Sequence, residues 1–147
     1  ACSSGPRAID VEVGTGEADF VPLHDGDEVT LVAGSQGGFH IWASVCTAAN
    51  IDPRGVELGV ETRILDSDFT PEMSRVRQNL EMTTNNYRAF LGWPAQLLEP
   101  ACADGRLVLL SMSLRDRTGA FGQSTKRVRV RFVPPPGYDR PCLPPGV

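Results

Sequence analysis

Residues 106–132 read RLVLLSMSLRDRTGAFGQSTKRVRVRF, and this stretch decides the fold. Apolar residues take every second position before and after a central turn: Val108, Leu110, Met112, Leu114, Val128, Val130 and Phe132. A period of two places alternate side chains on opposite faces of a strand. Residues 117–122 (RTGAFG) supply the chain reversal. The stretch therefore predicts a β-hairpin with one buried face.

The same alternation recurs along the chain and predicts seven strands in total. Their ranges are 8–13, 28–33, 39–46, 56–65, 78–84 continued over 87–91, 106–115 and 126–133. Residues 71–77 and 94–98 each start with proline and are interpreted as short helical turns at most. We expect an all-β, immunoglobulin-like sandwich of two antiparallel sheets, with Trp42 of the third strand as its core aromatic residue.

Composition sets the domain count and excludes two classes of function. The chain has 147 residues and a formal net charge of −4. We expect an N-terminal tail (1–7), one sandwich domain (8–133) and a proline-rich C-terminal arm (134–147). A net negative charge argues against a nucleic-acid partner. No apolar run approaches the roughly 18 residues that a transmembrane segment needs.

The four cysteines, Cys2, Cys46, Cys102 and Cys142, indicate the compartment. They show no C-x-x-C spacing and the chain has only two histidines, so disulfides fit better than zinc. Disulfides are typical of oxidising compartments, and a start of ACSSG without methionine is typical of a processed protein. We expect secretion or cell-surface display. The alternative is a periplasmic or outer-membrane lipoprotein with a lipid on Cys2.

Residues 20–23 (FVPL), 25–27 (DGD) and 34–42 (GSQGGFHIW) resemble a pattern in immunoglobulin-like β-sandwich domains of uncharacterised exported bacterial proteins and lipoproteins. The resemblance covers roughly residues 14–46 and, more loosely, the final hairpin. It implies export and a sandwich fold, and it supplies no catalytic residues. No cysteine pair flanks Trp42 as in antibody domains, so the chain resembles those domains only in its general strand arrangement.

An immunoglobulin-like layout also predicts the disulfides. There the end of the third strand and the start of the sixth lie at the same pole, which favours a bond between Cys46 and Cys102. The alternative is a bond between Cys102 and Cys142. Under the first pairing, Cys2 and Cys142 remain and join within one chain or between successive chains.

Two features predict contacts with a partner. Arg127, Arg129 and Arg131 alternate with apolar residues and form a row on the outer face of the last strand, where they would bind an anionic glycan or an acidic neighbour. The alternative is a solvent-facing row paired with Glu57 and Glu61. The proline-rich arm, which carries Tyr138, is held either by its own domain or by a neighbouring subunit.

No residue set predicts catalysis, a metal site or a cofactor. Ser35 does not lie in a G-x-S-x-G motif, and no cysteine has the following histidine and methionine of a blue-copper site. The acidic stretch 66–72 lacks the central glycine of an EF-hand loop. His40, next to Trp42 on one strand face, is interpreted as a structural hydrogen-bonding residue, with a ligand role as the alternative.

The sequence thus predicts a protein that is not an enzyme. We expect an exported structural or adhesive subunit of an extracellular or cell-surface assembly such as a filament, which self-associates through its tails. The alternative is a periplasmic or lipid-anchored module that binds a glycan, a peptide or a metal.

Overall fold

The computed structural model describes residues 7–34, 37–83 and 86–143. Cys2, Ser35, most of the predicted N-terminal tail and the last four residues of the arm lie outside these ranges. The strands are β1 (Glu12–Thr15), β2 (Val21–Pro22), β3 (Glu28–Thr30), β4 (Val32–Ala33), β5 (Phe39–Thr47), β6 (Val56–Ile64), β7 (Glu72–Gln78), β8 (Glu81–Met82), β9 (Arg88–Gln96), β10 (Leu107–Arg115) and β11 (Phe121–Arg131). One short helix, α1 (Pro100–Ala103), precedes β10. The predicted all-β class is confirmed.

The strands form two sheets. The first has the order β2-β1-β5-β9-β8, with β4 also paired to β5, and the second has the order β3-β11-β10-β6-β7. Neighbouring strands are antiparallel, except that β3 runs parallel to β11. The predicted hairpin is present as β10 and β11. Its paired residues run from Leu107 opposite Arg129 to Arg115 opposite Phe121.

The core lies between the inner faces of the two sheets. The side chains predicted to be buried in the hairpin are at most 1% exposed from Val108 to Val130, and Phe132 is 6% exposed. Ile41 and Val45 of β5 meet them from the first sheet. Burying one such aliphatic side chain contributes about 1.5–3 kcal/mol, so this alternation accounts for much of the sandwich's stability.

Several strands differ from the prediction, and the described residues contain eleven strand segments. The predicted strand 28–33 divides into β3 and β4, which belong to different sheets. Residues 71–77 do not form a helical turn and instead make up most of β7. This strand pairs with β6, with Glu72 opposite Thr62 at one end and Gln78 opposite Val56 at the other. Residues 94–96 likewise belong to β9. Both prolines are tolerated because Pro71 precedes its strand and Pro94 lies beyond the pairing of β8 with β9.

Trp42 is not the core aromatic residue that the sequence predicts. It lies opposite Pro94 on the outer face of the first sheet and is partly exposed. Trp93, opposite the buried Ala43, packs against the core instead, with its ring 6.0 Å from that of Phe90. The reason is that Ile41, Ala43 and Val45 occupy the inner face of β5, which places Trp42 on the outer face.

Candidate functional site

The C-terminal arm is attached to its own domain. Cys142 forms a disulfide with Cys102 of α1, with 4.7 Å between the two Cα atoms. Tyr138 packs edge-on against Phe39 and Phe132, with ring centroids 5.7 and 5.0 Å away. These contacts join the ends of both sheets to the arm. The sequence left open whether the arm is held by its own domain or by a neighbouring subunit, and in this structure its own domain holds it.

The preferred pairing of Cys46 with Cys102 is therefore wrong, and the alternative with Cys142 is the one present. Cys46 lies on β5 of the first sheet, whereas Cys102 leads into β10 of the second sheet. The predicted adjacency of these strands in one sheet does not exist. Cys46 is buried and forms no disulfide within the described residues. Burial, and secondarily the carboxylate of Glu12, raises its pKa to about 11, so its thiol is protonated at neutral pH.

The outer face of the second sheet is rich in arginine. Strand pairing places the row on β11 beside further arginines on β10, β6 and β7. We call this surface the arginine face; it comprises Arg63, Arg75, Arg77, Arg115, Arg127, Arg129 and Arg131. Three glutamates, Glu28, Glu57 and Glu61, share the surface, so seven positive charges oppose three negative ones in a protein of net charge −4.

The ion pairs on this face leave most guanidinium groups accessible. Glu57 pairs with Arg75 and Arg77 at 3.4 and 3.9 Å, and Arg131 pairs with Glu28 at 3.5 Å. Arg75 and Arg77 remain more than 70% exposed. The predicted alternative, in which Glu57 and Glu61 neutralise the β11 row, does not hold among the described ion pairs. Exposed pairs of this kind contribute only about 0–1 kcal/mol each to stability.

A shallow trough of about 470 Å³ runs across the arginine face. Gly59, which has no side chain, and the hydroxyl of Ser111 line it. The Ser111 hydroxyl accepts hydrogen bonds from Gln123 Nε2 at 3.0 Å and from Thr125 Oγ1 at 2.9 Å. Arg115 lies over the ring of Phe121, 4.8 Å from its centroid. The face thus combines positive charge with fixed hydroxyl groups and one aromatic ring.

The outer face of the first sheet has the opposite charge. A groove of about 600 Å³ is lined by Glu12, Asp19 and Glu81, with Cys46 among its lining residues and, within the described residues, no basic side chain. Glu17 lies close enough to act on His40 of the same face. We call this surface the acidic face and define it by Glu12, Glu17, Asp19 and Glu81. Glu12, Glu17 and Asp19 already lie close together in the sequence, and the pairing of β8 with β9 adds Glu81 to them.

The loop that carries Glu17 and Asp19 is fixed on β5. The hydroxyl of Ser44, opposite a bulge in β9, donates to the carbonyl oxygen of Gly16 at 3.0 Å and accepts from the Gly92 amide at 3.1 Å. Thr15 Oγ1 donates to the carbonyl oxygen of Trp42 at 2.7 Å. These bonds hold the start of the loop against the sheet.

Beside this loop lies a hollow formed by His40, Trp42, Gln96 and neighbouring residues, with a volume of about 500 Å³. The imidazole of His40 meets the indole of Trp42 edge to face at 4.4 Å. Its Nε2 is buried and has no hydrogen-bond partner among the residues that the structure describes. The structural hydrogen bond predicted for His40 is therefore not seen at Nε2.

His40 gives a prediction for pH dependence. Burial lowers its pKa, and the nearby carboxylate of Glu17 opposes this only in part. Below the ordinary histidine pKa of about 6.5, the unfolded chain takes up a proton that the folded protein does not. Stability should thus fall as the pH is lowered through about 6.5, until the folded protein's own His40 is protonated.

The measurement is the urea midpoint between pH 8 and pH 5. His40→Asn should flatten the decline in this range, whereas His24→Asn, at an exposed histidine, should retain it. An unchanged slope in the His40 variant would contradict the prediction.

Comparisons with known proteins give no assignment: no protein-family model and no curated protein matches the chain. Across residues 7–34, 37–83 and 86–143, no helix has the length and apolarity needed to cross a membrane. The same ranges hold no cluster of three or more His, Cys, Asp or Glu side chains placed to ligate a metal ion.

Proposed function

We propose that this protein is a non-enzymatic, exported structural or adhesive subunit that contacts acidic partners through the arginine face. The observation that carries the proposal is the concentration of seven arginines on one sheet face of an acidic protein. Guanidinium groups bind carboxylates through two parallel hydrogen bonds and are enriched where such groups are recognised. A flat, open sheet face suits an extended surface contact better than enclosure of a small substrate.

The strand order supports an immunoglobulin-like assignment for this sandwich. The order β1-β5-β9-β8 corresponds to strands A, B, E and D of that fold, and β11-β10-β6-β7 corresponds to G, F, C and C′. Under this assignment the arginine face lies on the sheet that variable-type domains extend with C′. The support comes from pairing order alone, since Trp42 does not take the core position.

The disulfide supports the exported location, because such bonds persist mainly in oxidising compartments. It also changes which part of the chain we propose for contacts. The arm is bonded through Cys142 and packed through Tyr138 on its own domain, so the contact role passes from the arm to the sheet. Among the residues predicted for partner binding, Arg127, Arg129 and Arg131 stay in the proposed surface. Tyr138 becomes a packing residue.

Binding to immobilised polygalacturonate, a carboxylate polymer, tests the proposal. Wild type should bind at low salt and dissociate as the salt concentration rises, because exposed charges are screened beyond about 10 Å at 0.1 M. Arg127→Gln/Arg129→Gln should weaken binding at least tenfold. The matched control, Arg117→Gln/Arg140→Gln, removes two exposed arginines elsewhere and should change it less than twofold. Equal losses in both variants would show a general charge effect and contradict the proposal.

A second candidate function is a small-ligand binding module. The hollow beside Trp42 favours it, because the buried Nε2 of His40, which has no partner within the described part of the chain, lies next to an aromatic wall and the exposed Gln96. Such combinations of a few polar groups and an aromatic ring are typical of sugar and peptide sites.

A further inference from the structure

The two broad faces of the sandwich carry opposite charges. The arginine face has seven arginines against three glutamates, and the described lining of the groove on the acidic face has three carboxylates and no basic residue. They are the outer faces of different sheets, so they point in opposite directions. Two copies of the protein therefore repel each other when like faces meet and attract each other when unlike faces meet.

We propose that the partner of the arginine face is a second copy of this chain, whose acidic face docks on it. This inference rests on the proposed function and names its partner. The contact is heterologous: each copy uses one face toward one neighbour and the other face toward the next. Such a contact builds open, linear assemblies unless the rotation between copies closes a ring.

Exposed apolar side chains on both faces favour docking in addition to the attraction between opposite charges. Met82 and Tyr87, at the acidic groove, are 55% and 43% exposed. Met73, in the trough of the arginine face, is 68% exposed. Methionine and tyrosine are enriched at the centres of protein interfaces, where burial of apolar area adds to charge pairing. The concave groove also gives the long arginine side chains space to reach carboxylates on its walls.

A complementation experiment by sedimentation velocity tests the inference. Wild type at low salt should form species larger than a monomer, increasingly with concentration, and should return to monomer at 0.5 M salt. Arg127→Gln/Arg129→Gln and Glu12→Gln/Glu81→Gln should each remain monomeric under the same conditions. All four side chains are exposed, so neither variant should unfold.

Mixing the two variants gives the decisive result. The first retains an acidic face and the second retains an arginine face, so the mixture should form one-to-one dimers and nothing larger. Arg117→Gln/Arg140→Gln should assemble like wild type. A wild type that stays monomeric at all concentrations, or a mixture that fails to pair, would overturn the inference. If the protein does not self-associate but still binds polygalacturonate, the inference is rejected and the proposed function stands. If it neither self-associates nor binds polygalacturonate, both are rejected.

Discussion

Replacement of Cys142 by serine is expected to lower the free energy of unfolding by about 4 kcal/mol. The disulfide with Cys102 joins residues that are 40 positions apart, and closing a loop of this length restricts the unfolded chain strongly. The same change releases the arm that places Tyr138 against Phe39 and Phe132. Urea denaturation of wild type and variant measures the difference.

Reduction provides the control for the disulfide prediction. Reductant should destabilise wild type by a similar amount and should leave Cys142→Ser unchanged. Cys46→Ser should keep its sensitivity to reductant, because Cys46 is outside the bond. A wild type that does not respond to reductant, or a Cys46 variant that has lost its response, would contradict the pairing.

Replacement of Gly92 by alanine is expected to cost about 3 kcal/mol and to displace the loop of the acidic face. Gly92 has a φ of +73°, which costs a residue with a Cβ roughly 1–2 kcal/mol. A Cβ there would also overlap the carbonyl oxygen of Glu17, and such overpacking typically adds about 1–3 kcal/mol. The chain can relieve the overlap only by moving Glu17 away from β9.

Gly105→Ala is the matched control, because Gly105 has nearly the same φ, +74°, and open space where the Cβ would lie. It should cost only the conformational part, about 1–2 kcal/mol. Equal destabilisation by the two substitutions would show that the contact with Glu17 contributes nothing. If the acidic face acts as proposed, Gly92→Ala should also weaken self-association.

The sequence predicted those elements whose side chains alternate regularly. Strands β5, β6 and β10 agree with the predicted ranges to within one residue at each end. In β6 and β10 the inner face is buried and most residues of the outer face are partly exposed, so the alternation is visible in the sequence. Strand β7 was missed because it is an edge strand with mostly exposed residues, including Met73 and Arg75. Its stability comes from pairing with β6, which its own pattern does not reveal.

The candidate contact surface was predicted only in part, for a similar reason. The row of Arg127, Arg129 and Arg131 follows from alternation within one strand, and it was found. The other four arginines of the face join it only through the order of strands in the sheet. Glu12, Glu17 and Asp19 of the acidic face are close together in the sequence, whereas Glu81 joins them only through the pairing of β8 with β9, which no local pattern indicates.

The most direct test of the account is to map where a carboxylate polymer binds the folded protein. Backbone amide and arginine Nε shifts of isotope-labelled protein, recorded during titration with oligogalacturonate, locate the contact without assuming it. We expect shifts on the outward residues of β6, β7, β10 and β11, centred on Arg127 and Arg129. Shifts centred on the hollow of His40 and Trp42, or no shifts at low salt, would contradict the proposed role of the arginine face.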